Sequence, residues 1–330
     1  LSLKGRLRFL RELFYVPPQT KNEESVWDFF ARHFGEEVAD TFADPFVSGI
    51  FAGDVHQLSL QAAFPTMAAA EEQSSSLIRH LIRKRKTQKV APQIFQLQGG
   101  LSSLFQKACE VFGPEKVHLS ETVLSIHPEK NRCLVKTDKG AYEAPTVYLT
   151  APAYKASSLL KSSVPMLAEI LEKIDYVPIV TLHIRVQRVA TGGIFNGFGI
   201  LIPSKEQRKI LGALCPSSTF PSLFPDKEHH YLTVYMGGAR ERGILQRSDE
   251  DLQKTAMSEI QSIFKLKEAP EFLQLKRYPR AIPQYNLGYL KILDSIQQEI
   301  KSFPSLKLAG NYLGGISIPK TVTHALHLVG

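Results

Sequence analysis

The chain has 330 residues, 43% of them hydrophobic, enough to bury one or two sizeable cores. No apolar run approaches the roughly 18–20 residues of a membrane-crossing helix, and no charged-then-apolar leader pattern is seen. A net charge of +8 and a pI near 9.2 favour an anionic membrane surface or an acidic small molecule over nucleic acid, for which no recognition motif is present.

Leu3, Leu7, Leu10 and Phe14 fall at helical spacing, with Lys4, Arg6, Arg8 and Arg11 among them, and Pro17–Pro18 closes the segment. A basic amphipathic helix of this kind either packs its apolar stripe into a core or lays it on a membrane. The spacing predicts a second helix over 23–43, with Val26, Phe29, Phe30, Phe34 and Val38 in its stripe and Asp44–Pro45 as its breaker. Gly49 to Gly53 reads as a turn, followed by helices over 60–70 and 71–85. The last runs into a cationic cluster, Arg79, Arg83, Lys84, Arg85, Lys86 and Lys89. That cluster is either a solvated surface or a patch drawn to anionic lipid, at about 1 kcal/mol per basic residue near the surface. Residues 1–90 are expected to form one helical subdomain.

From Pro92 the periodicity changes. Ile94–Leu97, Val117–Leu119, Glu121–Ile126, Arg132–Thr137 and Val147–Thr150 read as strands, with helices over 101–111 and from Ala153 through Leu160. Strands alternating with helices point to a cofactor domain of the α/β kind over 91–164. The section 165–280 reads as a mixed sheet with helices at one side. Its strands are Tyr176–Val189, Gly199–Ile202 and Tyr231–Tyr235, with a Pro-, Ser- and Phe-rich loop at 216–225 and an amphipathic helix at 249–264. The chain then returns, through a helix over 291–303, to a C-terminal stretch, 281–330, that rejoins the cofactor domain.

That stretch ends in LKLAGNYLGGISIPKTVTHA. Leu306 to Leu308 read as a short buried strand, Gly310, Gly314 and Gly315 as a loop that lets a flat ligand approach the backbone, and Pro319 as the first turn of a helix. A strand, glycine loop and helix start point backbone N–H groups at an anion or a polarised ring; the same residues also suit an ordinary turn at a domain edge. No G-x-S-x-G, H-E-x-x-H or C-x-x-C occurs, so hydrolase and metal readings have little support. Three cysteines, Cys109, Cys133 and Cys215, share no metal spacing and suggest a reducing compartment. The adjacent pair His229–His230 reads as a solvated loop rather than as metal ligands.

The C-terminal stretch resembles the last cofactor-contacting segment of the flavin-dependent protoporphyrinogen oxidases, relatives of the amine oxidases. WDFFARHFGEEVADTFADPFVSGIFAGDVHQLS, FQLQGGLSSL, VYLTAPAYKASSLL, GFGILIP, LGALCPSSTFP, YMGGAR and IPQYNLGYL resemble further segments in family order. The resemblance implies an α/β plus α+β architecture. An amine-oxidase-like FAD-binding domain would be built from discontinuous segments, beside a substrate domain and a helical membrane-associated subdomain. It implies FAD as cofactor and oxidation of protoporphyrinogen IX, or of coproporphyrinogen III, with oxygen as acceptor and peroxide as product. A non-catalytic membrane-associated porphyrin carrier is the alternative of another class. Phe198, Gly199, Leu201, Phe220 and Tyr235 would line the macrocycle, and no residue is assigned a catalytic role. Val123, Asn311, Ile316, Ser317 and Ile318 would contact the flavin; Leu290 stands where an aromatic residue is common. Family members carry a G-x-G-x-x-G that is absent from these residues, so the chain reads as a fragment lacking that motif. The resemblance implies a cytoplasmic protein peripheral to the membrane. It also raises a ferrochelatase and a second copy of the chain as partners.

Overall fold

The computed structural model describes residues 1–330 apart from 16–19, 21, 75, 88–93, 189–194, 196 and 330. Pro17, Pro18, Lys89, Pro92 and Val189 of the sequence reading therefore lie outside the described residues, as do the side chains of Arg85 and Lys86. The chain divides into two compact units, Leu1–Pro92 with Tyr176–Leu287, and Gln93–Asp175 with Gly288–Gly330.

The first unit opens with α1 (Leu3–Arg11), capped where Ser2 Oγ accepts the Gly5 N–H at 3.0 Å. This helix packs through Gly5, Phe9 and the residue after it, Glu12. Phe9 stacks on Phe34 at 5.2 Å, and the fully buried Glu12 carboxylate accepts the Leu77 N–H at 2.6 Å and the Ser76 hydroxyl at 2.7 Å. The stripe of Leu3, Leu7, Leu10 and Phe14 is left 75, 63, 51 and 87% exposed, so it does not enter the core. The expected helix over 23–43 is broken: α2 (Val26–Phe34) ends at Gly35, whose φ of +94° a side chain disfavours. Nor does Asp44–Pro45 interrupt the backbone. A π turn over Ala39–Ala43 runs directly into α3 (Asp44–Phe51), with Pro45 in the first turn, where no N–H is needed. Helices α4 (Pro65–Gln73) and α5 (Leu77–Thr87) complete this part. Arg32 ties α2 to α4 by pairing Glu24 at 2.5 Å and Glu71 at 2.7 Å.

The second unit begins without two of the expected strands. Among the described residues no strand pairs with 94–97, and 117–119 lie between a 3₁₀ turn at Pro114–Lys116 and the left-handed Ser120 (φ +55°). After α6 (Ser102–Phe112) come β1 (Val123–Pro128), β2 (Cys133–Thr137) and β3 (Ala141–Ala144), an antiparallel three-stranded sheet. Strand β4 (Val147–Leu149) follows, then the packed helices α7 (Ala153–Leu160) and α8 (Pro165–Glu172).

Back in the first unit, β5 (Tyr176–Gln187), β6 (Gly199–Leu201), β7 (Gly212–Leu214), β8 (His229–Gly237) and β9 (Glu271–Pro283) form one five-stranded sheet, ordered β6-β7-β8-β5-β9. Every pairing is antiparallel, which corrects the mixed sheet of the sequence reading. The loop expected at 216–225 instead holds two helical turns, Pro216–Thr219 and Pro221–Leu223, each opened by its proline. Helix α9 (Asp249–Phe264) covers one face of the sheet: Leu252, Ala256 and Ile260 pack in one core with Val180, Leu182 and Ile184 of β5 and with Val234 and Met236 of β8. Alternate residues of β5 therefore point to the other face. There α3 is held to the sheet region by Asp44, which accepts the Ser204 N–H at 2.6 Å and pairs with Arg240 at 3.1 Å. The helical stretch and the sheet, separate in the sequence reading, thus share one unit.

The second unit closes with α10 (Tyr289–Ile300), β10 (Leu306–Leu308) and α11 (Ile318–Val329). Strand β10 pairs in parallel with β4, Leu306 opposite Val147 and Leu308 opposite Leu149.

Candidate functional site

The sheet face not covered by α9 forms the floor of a cavity of about 520 Å³, within the range of small-molecule sites. Its layout follows from the register. One row across the sheet reads Gly199, Leu214, Thr233, His183 and Gln274; the next reads Leu201, Gly212, Tyr235, Thr181 and Lys276. Directly paired residues share a face, so side chains of both rows stand on the cavity side. Ile179, opposite Tyr278, extends the floor, and Ser48, Gly49 and Ile50 of α3 form a wall. Gly49 permits that wall: a Cβ there would lie 2.6 Å from Leu201 Cδ2.

No lining residue carries a formal carboxylate, ammonium or guanidinium. The titratable groups are His183, Tyr235 and Tyr278. Burial, and then the nearby Lys276 ammonium, hold His183 below the ordinary imidazole value. Burial, with Tyr278 adding to it, raises the Tyr235 phenol above its own. Both are thus neutral at neutral pH. The His183 Nδ1 lies 3.2 Å from the Thr233 hydroxyl, its direct cross-strand partner.

Of the residues the sequence assigns to a macrocycle, Leu201 and Tyr235 line this cavity. Gly199 stands on the same face at the edge strand. A Cβ on it would come within 2.3 Å of the Ala213 carbonyl oxygen, so sheet pairing by itself demands glycine there. Phe198 is exposed beside it and Phe220 is half-buried in the turn between two helical segments; neither lines the cavity. His183, Thr181, Thr233 and Tyr278 were missed. The available signal was the alternation in YVPIVTLHIRVQ, where Thr181 and His183 fall two apart on one face of an otherwise apolar strand. His229 and His230, adjacent on β8, point to opposite faces. His229 bonds Asp226 at 2.8 Å and His230 is buried beside Ser218 at 3.2 Å, so they form neither a metal pair nor a solvated loop. Among the described residues no cluster could hold a metal ion.

In the second unit, the residues assigned to flavin are distributed over two places. Asn311, Ile316, Ser317 and Ile318 follow β10 and lead into α11, while Val123 opens β1 at a register irregularity. Ser317 caps the helix, its oxygens accepting the Lys320 and Thr321 N–H groups at 3.4 and 2.9 Å. Among the described residues, the N–H groups of Ile316 and Ser317 find no acceptor. A parallel strand, a turn and free donors at a helix start fit one flank of an isoalloxazine or another polarised ring. Leu290, in the first turn of α10, is exposed and aliphatic.

The fold is that of the amine-oxidase-like flavoproteins. A solved structure from Exiguobacterium sp. 255-15, provisionally named a protoporphyrinogen oxidase, superposes with a TM-score of 0.83 at 22% identity, over 100% of this chain and 72% of that one. The chain belongs to the flavin-containing amine oxidoreductase family, whose pattern matches residues 1–327. It is 29% identical to protoporphyrinogen oxidase 2, chloroplastic/mitochondrial, of Arabidopsis thaliana, over 98% of this chain and 70% of that protein. It is 24% identical to the coproporphyrinogen III oxidase of Bacillus subtilis, over 97% of this chain and 70% of that protein. The chain spans between 63% and 70% of the length of three plant relatives.

Proposed function

We propose that the full protein is an FAD-dependent porphyrinogen oxidase that converts protoporphyrinogen IX to protoporphyrin IX with oxygen as acceptor. The observation that carries this reading is the near-complete match of the chain to porphyrinogen oxidases, in the company of a sheet-floored cavity without formal charge. A porphyrinogen is a large, electron-rich, mostly apolar ring with carboxylate tails. An apolar floor with cations at its border, such as Lys276, suits both parts.

A bound flavin would supply the two-electron acceptor, the step that side chains cannot perform. Asn311, Ile316, Ser317 and Ile318 would hold its ring through backbone groups. The cavity residues would do the rest: Leu201 and Ile179 exclude water, Tyr235 and Tyr278 fix the ring plane, and the neutral interior disfavours stray ionisation. We further propose that α1 and α5 hold the protein on an anionic membrane surface, where an apolar substrate would partition.

The test is reconstitution of the full-length protein with FAD, followed by porphyrin fluorescence on adding protoporphyrinogen IX or coproporphyrinogen III in parallel. Faster turnover of protoporphyrinogen is expected. Preference for coproporphyrinogen would move the assignment to that substrate. A flavin-loaded protein that binds porphyrin yet oxidises neither would leave only the carrier.

A further inference from the structure

We infer that His183 is a catalytic residue of the proposed oxidation: its imidazole Nε2 accepts the proton released from a pyrrole N–H when a bridge carbon loses hydride. The inference rests on the porphyrinogen reading above and adds a residue to a site that otherwise has no proton acceptor.

Removing hydride from a methylene bridge takes the C–H bond pair to the flavin and leaves a cation shared with the adjacent pyrrole nitrogen. The N–H of that ring then becomes acidic. Its bond pair stays on nitrogen to complete a carbon–nitrogen double bond, and the proton must go to a base. The ring loses one hydride and one proton, and the flavin gains two electrons. An efficient acceptor is a neutral base within hydrogen-bond reach of the bound ring.

His183 has the required placement. It stands on the cavity floor, between Leu214 and Thr233 on one side and Gln274 on the other. Its Nδ1 is engaged by Thr233 Oγ1 at 3.2 Å, across a directly opposed cross-strand pair. When Nδ1–H donates to that hydroxyl, Nε2 carries a lone pair, and nothing else among the described residues bonds to the ring. The surrounding groups keep it a base. Thr181 and Ser48 are uncharged, burial keeps the Tyr235 phenol neutral, and Lys276 is the nearby cation. Further along the same face, Arg185 is already paired with Glu271 at 2.8 Å, and Tyr231 lies opposite it. Among the described residues no carboxylate stands close enough to hold a proton on His183 in advance. The other nitrogenous side chain of its row, Gln274, is an amide and cannot serve as a base.

The experiment compares flavin-loaded full-length wild type, His183→Gln, Thr233→Val and Lys276→Met. Wild-type kcat should fall on the acid side, below about pH 6.5, as His183 takes up a proton beforehand. His183→Gln should lower kcat about 100-fold and abolish that acid limb. Its affinity for protoporphyrin IX, read by fluorescence quenching without turnover, should stay within about threefold, well short of the tenfold that 1.4 kcal/mol represents. Thr233→Val, which frees the ring, should give an intermediate loss of kcat. Lys276→Met removes the neighbouring positive charge and should move the acid limb to higher pH, an effect that a packing role for His183 would not produce. Wild-type kcat and an intact acid limb in His183→Gln would overturn the inference while leaving the oxidase reading in place. A wild type that oxidises no porphyrinogen would remove both.

Discussion

Asp44 shows how much a single side chain can settle here. It starts α3, is almost wholly buried, and satisfies its carboxylate with the Ser204 N–H and the Arg240 guanidinium; Arg240 in turn donates to the Ile202 carbonyl at 2.7 Å. One carboxylate thus fixes the helix that walls the cavity to the loops following β6 and β8. Asp44→Asn keeps the shape but removes the charge that Arg240 answers. Because Arg240 is one-fifth exposed and partly solvated, the expected loss is about 1–3 kcal/mol rather than the full cost of a buried unpaired ion. Urea unfolding would measure it, and a midpoint unchanged from wild type would mean that α3 is held by packing alone. None of this was legible in the sequence, because the partners of Asp44 are 160 and 196 residues away. His183 was hidden for a related reason. A histidine in an apolar strand looks like any core histidine until the register sets Thr233 opposite it.

At the scale of elements, periodicity carried well wherever an element buries one face by itself. Helix α9 begins and ends at Asp249 and Phe264 as expected, and β5, β8 and β10 fall where their apolar alternation puts them. It failed where the outcome depends on a neighbour or on one backbone angle. Residues 94–97 have the composition of a strand but no partner among the described residues, and Gly35 divides a stripe that runs unbroken in the sequence. Helix α1 illustrates a third case: the leucine spacing does mark a helix, but the stripe stays out of the core and the side that packs is Gly5, Phe9 and Glu12. Exposed Leu3, Leu7, Leu10 and Phe14, interleaved with Arg6, Arg8 and Arg11, give α1 the surface of an interfacial helix, and Leu81 and Ile82 of α5 are likewise exposed beside Arg83 and Lys84. Among the described residues no helix is long and apolar enough to cross a membrane. If the proposed docking is correct, the protein should pellet with anionic vesicles in a salt-sensitive way, and Leu7→Asp with Leu10→Asp should release it. Equal pelleting of the double variant, or none by wild type, would remove α1 from the membrane proposal.

Over the whole molecule, burial acts on four histidines in one direction. His33, His183, His230 and His324 are each held below the ordinary imidazole value, burial being the largest cause, with the cations Arg32, Lys276 and Arg188 adding to it for the first three and His327 for the last. Glu71 opposes the effect at His33, where its carboxylate lies 2.9 Å from Nε2, without reversing it. Unfolding frees all four to take up protons, so the unfolded chain binds more protons than the folded one at mildly acid pH. Stability from these groups is therefore complete above about pH 6.5 and declines as pH falls from there through their folded-state values, by at most about 1.4 kcal/mol per pH unit for each histidine. Asp226 works with the same sign lower down. Hydrogen bonds from Tyr231 first, then from the Glu228 N–H and His229, bring its carboxyl from 3.8 to about 2, so its contribution is lost only as pH falls through that lower range. The urea midpoint should accordingly drop steadily from about pH 6.5 to 5, and His230→Gln, which replaces a nearly inaccessible titrating ring, should flatten the slope. A midpoint that stays level across that interval would mean that these rings protonate as readily inside the fold as in the unfolded chain.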